Sequence, residues 1–136
     1  MNNRIWIGQD PELVLVKYLK ACRELRGVRV GTMKDPLDKT TKTFVQVRQT
    51  GGSQRDLVTD LFQVTVICWA EKTTEAMRLG RIVRGLIEAA AEAGDMAGVP
   101  CYTAAPIGVT YPDPDPVSGS ARATTTFQIA LRGAYK

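Results

Sequence analysis

Between residues 61 and 93 the chain changes its hydrophobic period. Phe62, Val64, Val66 and Cys68 recur at every second position, the signature of a half-buried strand, and the alternation stops at Trp69-Ala70. Beyond a short polar connection the repeat lengthens to about 3.6 residues. Leu79, Ile82, Val83, Leu86, Ile87 and Ala90 then fall on one side, and Arg78, Arg81, Arg84, Glu88 and Glu92 on the other. A strand is thus predicted to feed a long amphipathic helix that starts at Thr73 or Thr74, carries Glu75 in its first turn and stops at Gly94. Gly80 and Gly85 each weaken that helix by about 1 kcal/mol relative to alanine, and they permit close packing on a neighbour.

An earlier helix is predicted from Asp10 to about Arg26. Asp10 can cap free amides, Pro11 suits the first helical position, Glu12 suits the positive end of the dipole, and Gly27 terminates. Its core stripe reads Val14, Tyr18, Ala21, Cys22 and Leu25. Leu13 and Val16 lie off that stripe, so the apolar coverage is wider than one face requires. Residues 28 to 33 alternate as a short strand, 34 to 42 form a polar loop or long hairpin tip, and 43 to 49 alternate again. Thr50-Gly51-Gly52-Ser53 reads as a turn before the strand at 60 to 69, giving three strands in an antiparallel meander. After the second helix, 99 to 110 is β-like. Residues 111 to 119 (YPDPDPVSG) are excluded from regular structure by three prolines, and 121 to 134 form a long closing strand.

The expected fold class is therefore α+β: an antiparallel sheet with two helices packed on one face, in the order α-β-β-β-α-β-β. A ferredoxin-like order would require a strand before the first helix, and only Arg4-Ile5-Trp6-Ile7-Gly8 could supply one. At 136 residues the chain reads as a single domain, 1–136, and 44% apolar with 24% charged residues is an ordinary balance for a globular protein. No apolar run has signal-peptide or membrane-spanning character, so a protein made and kept in a cytoplasm, without membrane contact, is expected.

Candidate chemistry is thin. The three cysteines, Cys22, Cys68 and Cys101, are widely spaced, and with no histidine in the chain they fit buried hydrophobes in a reducing compartment better than zinc ligands. The missing histidine also removes the usual nucleophilic triad. Asp113 and Asp115 have the spacing to hold a cation or to work as acid and base, but alternating Asp and Pro reads more simply as a solvated turn. Asp35 and Asp38 get the same reading. Thr50-Gly51-Gly52-Ser53 lacks Walker spacing and opens no helix, so it is not a phosphate loop. Net charge is +4. Arg78, Arg81 and Arg84, with Arg48 and Arg55 elsewhere, could face phosphates, though a solvated or interface face is the simpler reading beside Glu88 and Glu92. The phenylalanines sit in core-like alternation and provide no aromatic platform for bases. No catalytic, metal or cofactor site emerges.

The organisation itself resembles a known group. A helix opened by Asp-Pro-Glu, a meander, a strand ending in Cys68-Trp69-Ala70, a helix carrying Glu75, Leu79, Val83, Leu86 and Ile87, and a closing strand together resemble the tail terminator, or tail-completion, proteins of long non-contractile-tailed bacteriophages. The resemblance spans roughly residues 10 to 131. It implies a non-enzymatic virion protein without cofactors, forming a homohexameric ring at the head-proximal end of the tail tube. Such a ring stops tube polymerisation and offers the head-tail joining surface. Its partners would be itself, the major tail tube protein and a connector or neck protein, with DNA crossing the lumen unread. It would be assembled in the cytoplasm of a bacterial host and reside in the virion's neck region. Under this reading Leu13, Val16, Arg78, Arg81 and Arg84 are placed at subunit contacts. Loops carrying Lys34, Asp38, Lys42, Arg48, Arg55, Asp113 and Asp115 would reach neighbouring rings. The competing readings are a head-closure or neck protein and a small basic nucleic-acid-binding module.

Overall fold

The computed structural model describes residues 4–33 and 41–136. In chain order these form β1 (Trp6–Ile7), α1 (Pro11–Ala21), a 3-10 turn (Arg23–Leu25), β2 (Arg29–Gly31), β3 (Phe44–Gln54), β4 (Thr59–Ala70), α2 (Thr73–Ala93), β5 (Asp95–Met96), β6 (Val99–Pro112), β7 (Ala121–Arg132) and β8 (Ala134–Tyr135). The chain is mixed α and β, with two helices and a curled, mainly antiparallel sheet in the order β2-β3-β4-β7-β6-β5. The expected order α-β-β-β-α-β-β is corrected by three short strands too brief to show a period. β1 precedes the first helix but joins β8 in a separate ribbon, so it does not make the main sheet ferredoxin-like. β5 follows α2 and pairs with the start of β6.

The register explains the core. Cys68 lies opposite Val45 and Ala123, Val66 opposite Val47 and Thr125, Val64 opposite Phe127, and Phe62 opposite Ile129. Directly paired residues share a face of the sheet, so the alternation of β4 is continued by both neighbours. The apolar members of this set join Leu15 and Leu19 of α1 and Val83 and Ile87 of α2 in one core cluster. Each fully buried aliphatic or aromatic side chain here stabilises the fold by about 1.5–3 kcal/mol.

Helix α1 starts as the sequence indicates: the Asp10 carboxylate accepts the amides of Glu12 and Leu13 at 3.1 and 3.2 Å. It ends earlier, at Ala21, where Cys22 turns extended and a 3-10 turn carries Leu25 into the core. The buried stripe is Pro11, Val14, Leu15 and Leu19, with Tyr18 and Cys22 half-buried and Ala21 exposed. The larger leucines at i and i+4 take the core position in preference to the small Ala21 and Cys22. Tyr18 donates its hydroxyl to the Leu86 carbonyl at 2.5 Å, fastening α1 to α2. The Gln49 amide donates to the Glu12 carboxylate at 2.8 Å and fastens α1 to β3.

Two further expectations are corrected in the sheet. β2 runs parallel to β3, pairing Arg29 with Phe44 and Gly31 with Gln46, so the first pair is not part of a meander. Residues 50 to 53 are strand and not turn: β3 passes a bulge between Gln49 and Gly51 and continues to Gln54. At Gly52 the backbone has φ +151°, and a Cβ there would sit 2.6 Å from the Leu61 carbonyl oxygen, so only glycine lets the strands pair. The true turn lies just beyond, where the amides of Arg55 and Asp56 donate to the Thr59 carbonyl at 2.9 and 3.1 Å. Tyr111 and Pro112 likewise belong to β6, because the prolines of the following loop begin to act only past the pairing of Pro112 with Ala123.

Candidate assembly surfaces

The residues that pair outside the core alternation form the outer face of the sheet, which includes Gln46, Thr65, Trp69, Arg122, Thr126 and Ile107. Thr65 bonds both Thr50 and Thr126, at 3.3 and 3.1 Å, tying three strands across that face. At one end the Trp69 indole donates to Gln46 at 3.2 Å, and the Arg122 guanidinium lies 5.1 Å over the indole ring. Arg122 also donates to the Asp113 carbonyl at 2.7 Å and to the Asp113 carboxylate at 3.2 Å, and lies 3.8 Å from the Asp115 carboxylate. Thr124 donates to the same Asp113 oxygen at 3.1 Å. The Ser118 amide and hydroxyl donate to the other oxygen of Asp115, at 3.0 and 2.5 Å. These Ser118 bonds, with Arg122 nearby, hold the Asp115 carboxyl below the usual carboxylate range.

The Asp-Pro segment is therefore not a simple solvated turn. Both of its carboxylates face Arg122, Asp113 through a hydrogen bond and Asp115 at 3.8 Å, so the pair forms a clamp on that guanidinium. The clamped loop raises Val117, 93% exposed, at its tip. A groove of about 1260 Å³ runs beside it, between Lys42, Gln46, Trp69, Thr73 and Ser118.

The other sequence-derived candidates are scattered. Lys42 pairs with Glu71 at 3.3 Å, and Arg48 is exposed on β3. The Arg55 guanidinium, on the turn after β3, lies 5.7 Å from the centre of the Tyr102 ring of β6. On α2, Arg78 and Arg81 are exposed, while Arg84 donates to Glu88 at 2.8 Å one turn on, so the stripe is interrupted within its own helix. Leu13 is 64% exposed, but Val16 is half-buried against the core. The apolar surplus of α1 is thus one residue, not two. Lys34 and Asp38, with Asp35, lie outside the described residues.

Burial pushes the Cys68 thiol up to about 12 and the Cys101 thiol up to about 11, and raises that of Cys22 as well, so none is poised as a thiolate at neutral pH. Among the described residues no group of three or more acids or cysteines is placed to hold a metal, and no helix is long and apolar enough to cross a membrane.

Two features were not read from the sequence. The Trp69–Arg122 stack joins residues on different strands, a pairing with no local signal. The outer edge of β6 did carry one: residues 96 to 112 contain no charged side chain. Along this edge Tyr102, Ile107, Val109 and Tyr111 are exposed. Among the described residues no strand covers it beyond Pro100, where β5 ends. No family model matches the chain, and no curated protein matches it.

Proposed function

We propose that the chain is a structural subunit of tail-terminator type, one that assembles into a ring on the head-proximal end of a phage tail tube. The observation that carries this reading is a pair of locked tips. At the β3–β4 turn, Leu57 is 83% exposed, on a loop held by the Asp56 carboxylate accepting the Val58 amide at 2.9 Å. At the β6–β7 turn, Val117 is presented by the Arg122 clamp. β4 spans 12 residues between the two ends of the sheet, which sets the tips on the order of 40 Å apart.

A bare apolar side chain on a flexible loop gains little from binding, because ordering the loop costs what contact returns. On a pre-ordered turn that cost is already met by internal hydrogen bonds. A subunit with such a tip at each end suits a protein placed between two axial neighbours, here the tail tube protein and a neck protein. Arg55 belongs to the first end, and Lys42, Asp113 and Asp115 to the second, while Arg48 lies opposite Thr65 at mid-strand. Ring closure by six copies, passage of DNA through the lumen and residence in the virion's neck belong to the same proposal.

The tips give the test. Leu57→Asp and Val117→Asp alter exposed positions and leave the core intact. One of them is expected to abolish co-sedimentation with tubes of the tail protein encoded in the same genome, while the other retains it. If both variants bind such tubes as the parent protein does, the tips are not axial contacts and the reading loses its support.

A further inference from the structure

We infer that residues 17–29 form a cationic ridge that binds the phosphate backbone of a nucleic-acid duplex without reading its sequence. Lys17, Lys20, Arg23, Arg26 and Arg29 recur at every third position, and all five are exposed. The segment holds five basic side chains and one acid, out of 18 and 14 in the chain. The remaining 13 basic and 13 acidic side chains cancel, so the whole net charge of +4 resides here. The inference goes beyond the ring reading and does not depend on it.

The backbone makes the row. The amides of Cys22, Leu25, Arg26 and Val28 donate to the carbonyls of Leu19, Cys22, Arg23 and Leu25, each three residues back, at 3.1, 3.1, 3.1 and 3.0 Å. In turns of this kind side chains at i and i+3 lie one above the other. Leu19 and Leu25 are buried and Cys22 and Val28 half-buried, which defines the inward side. Lys20, Arg23, Arg26 and Arg29 each follow one of these residues and are left outward. Lys17 extends the row one turn back along α1. Lys20 alone lies in the last turn of α1, so the helix dipole accounts for one cation of the five. Arg23 lies 3.8 Å from Glu24, but with side chains 87% and 48% exposed that pair contributes little in water. Arg29 donates to the Thr41 hydroxyl at 3.0 Å, which leaves four cations on the ridge for phosphate.

The chemistry selects the occupant. Three of the five cations are arginine, whose planar fork matches phosphate oxygens. No large apolar side chain is exposed between Lys17 and Arg29, so the ridge lacks the anchor that a lipid surface needs beside charge. It offers no platform for unstacked bases either, because Tyr18 is half-buried with its hydroxyl bonded to Leu86. A line of evenly spaced cations suits a polymer whose charges are themselves evenly spaced, as along a duplex.

Fluorescence anisotropy of a labelled DNA duplex of mixed sequence tests the ridge. Binding is expected to weaken with salt at a log–log slope of roughly −4, from four phosphates at about −0.9 each. Removing two cations in Arg23→Ala/Arg26→Ala is expected to reduce that slope by about 2. Lys72→Ala/Lys136→Ala removes the same charge at other exposed positions and is expected to leave the slope unchanged. Lys17→Ala/Lys20→Ala replaces the arginine pair if that variant loses the circular dichroism of the parent, since alanine favours the helix. A second duplex of unrelated sequence is expected to bind equally. No duplex binding in about 50 mM salt overturns the inference, as does an equal loss in the ridge and control variants. Binding to anionic phospholipid vesicles or to polyglutamate in preference to the duplex also overturns it. None of these failures touches the tail-tube reading, which co-sedimentation tests separately.

Discussion

Gly80 and Gly85 lie on one helix yet should answer oppositely to the same substitution. A Cβ at Gly80 would fall 2.7 Å from the Thr110 methyl and 3.4 Å from Ala123. Thr110 cannot swing away, because it is buried and its hydroxyl bonds Thr125 at 2.6 Å. A Cβ at Gly85 meets nothing within 4 Å. Gly80→Ala is expected to destabilise by about 1–3 kcal/mol through overpacking, and Gly85→Ala to stabilise by up to about 1 kcal/mol through helix propensity. Urea midpoints measure both. The sequence marked both glycines as sites of close packing; the three-dimensional neighbour alone separates them. Buried protons give a second test at this scale. The Cys68 thiol moves from 9.0 to about 12 and the Tyr18 phenol from 10.0 to about 12, both mainly by desolvation. Each folded-state value is raised, so the stability these groups contribute is fully present below the unfolded values and is lost as pH rises through the folded ones. Unfolding midpoints should therefore fall progressively above pH 9.0, and less steeply in Cys68→Ala. A midpoint that is flat across that range contradicts the burial of these groups.

At the level of elements, what was legible followed period. β4 and α2 were readable because long runs repeat cleanly, and Gly94 stops α2 in the left-handed conformation as its position implies. Strands of two or three residues have no period, so β5 and β8 were invisible, β1 stood only as a possible strand within residues 4 to 8, and the direction of β2 was misread. The glycine pair in β3 looked like a turn because composition does not distinguish a bulge from a hairpin tip. The loop between β6 and β7 was legible as irregular but not as rigid, since its order depends on Arg122, which follows it in the chain. Arg122→Ala should release it: exchange of the Asp113 and Asp115 amides, which donate to Arg122 and Ser120 carbonyls at 2.9 Å, is expected to quicken roughly tenfold or more. Acid should do the same. The Asp115 pKa is depressed, so the lock holds above the usual carboxylate range and loosens as pH falls through the folded value. Unchanged amide exchange in Arg122→Ala would mean that the loop orders itself without the clamp.

For the whole molecule, the candidate surfaces were only partly legible. Leu13 was visible as an apolar residue off its helix stripe, and Glu88, one turn on from Arg84, already stood as a balancing acid beside the Arg78, Arg81 and Arg84 stripe. The uncharged run through β6 was in plain view, yet it acquires meaning only once that strand is known to lie at an open edge. Exposed apolar groups lie at both ends of one sheet, a distribution suited to a subunit with neighbours above and below. Electron microscopy of the protein alone and with tail tube protein from the same genome tests this most directly. Closed rings of uniform diameter, seated at one end of tubes that stop lengthening, are the expected result. Protein that remains monomeric at high concentration, beside bare tubes that keep growing, would contradict it.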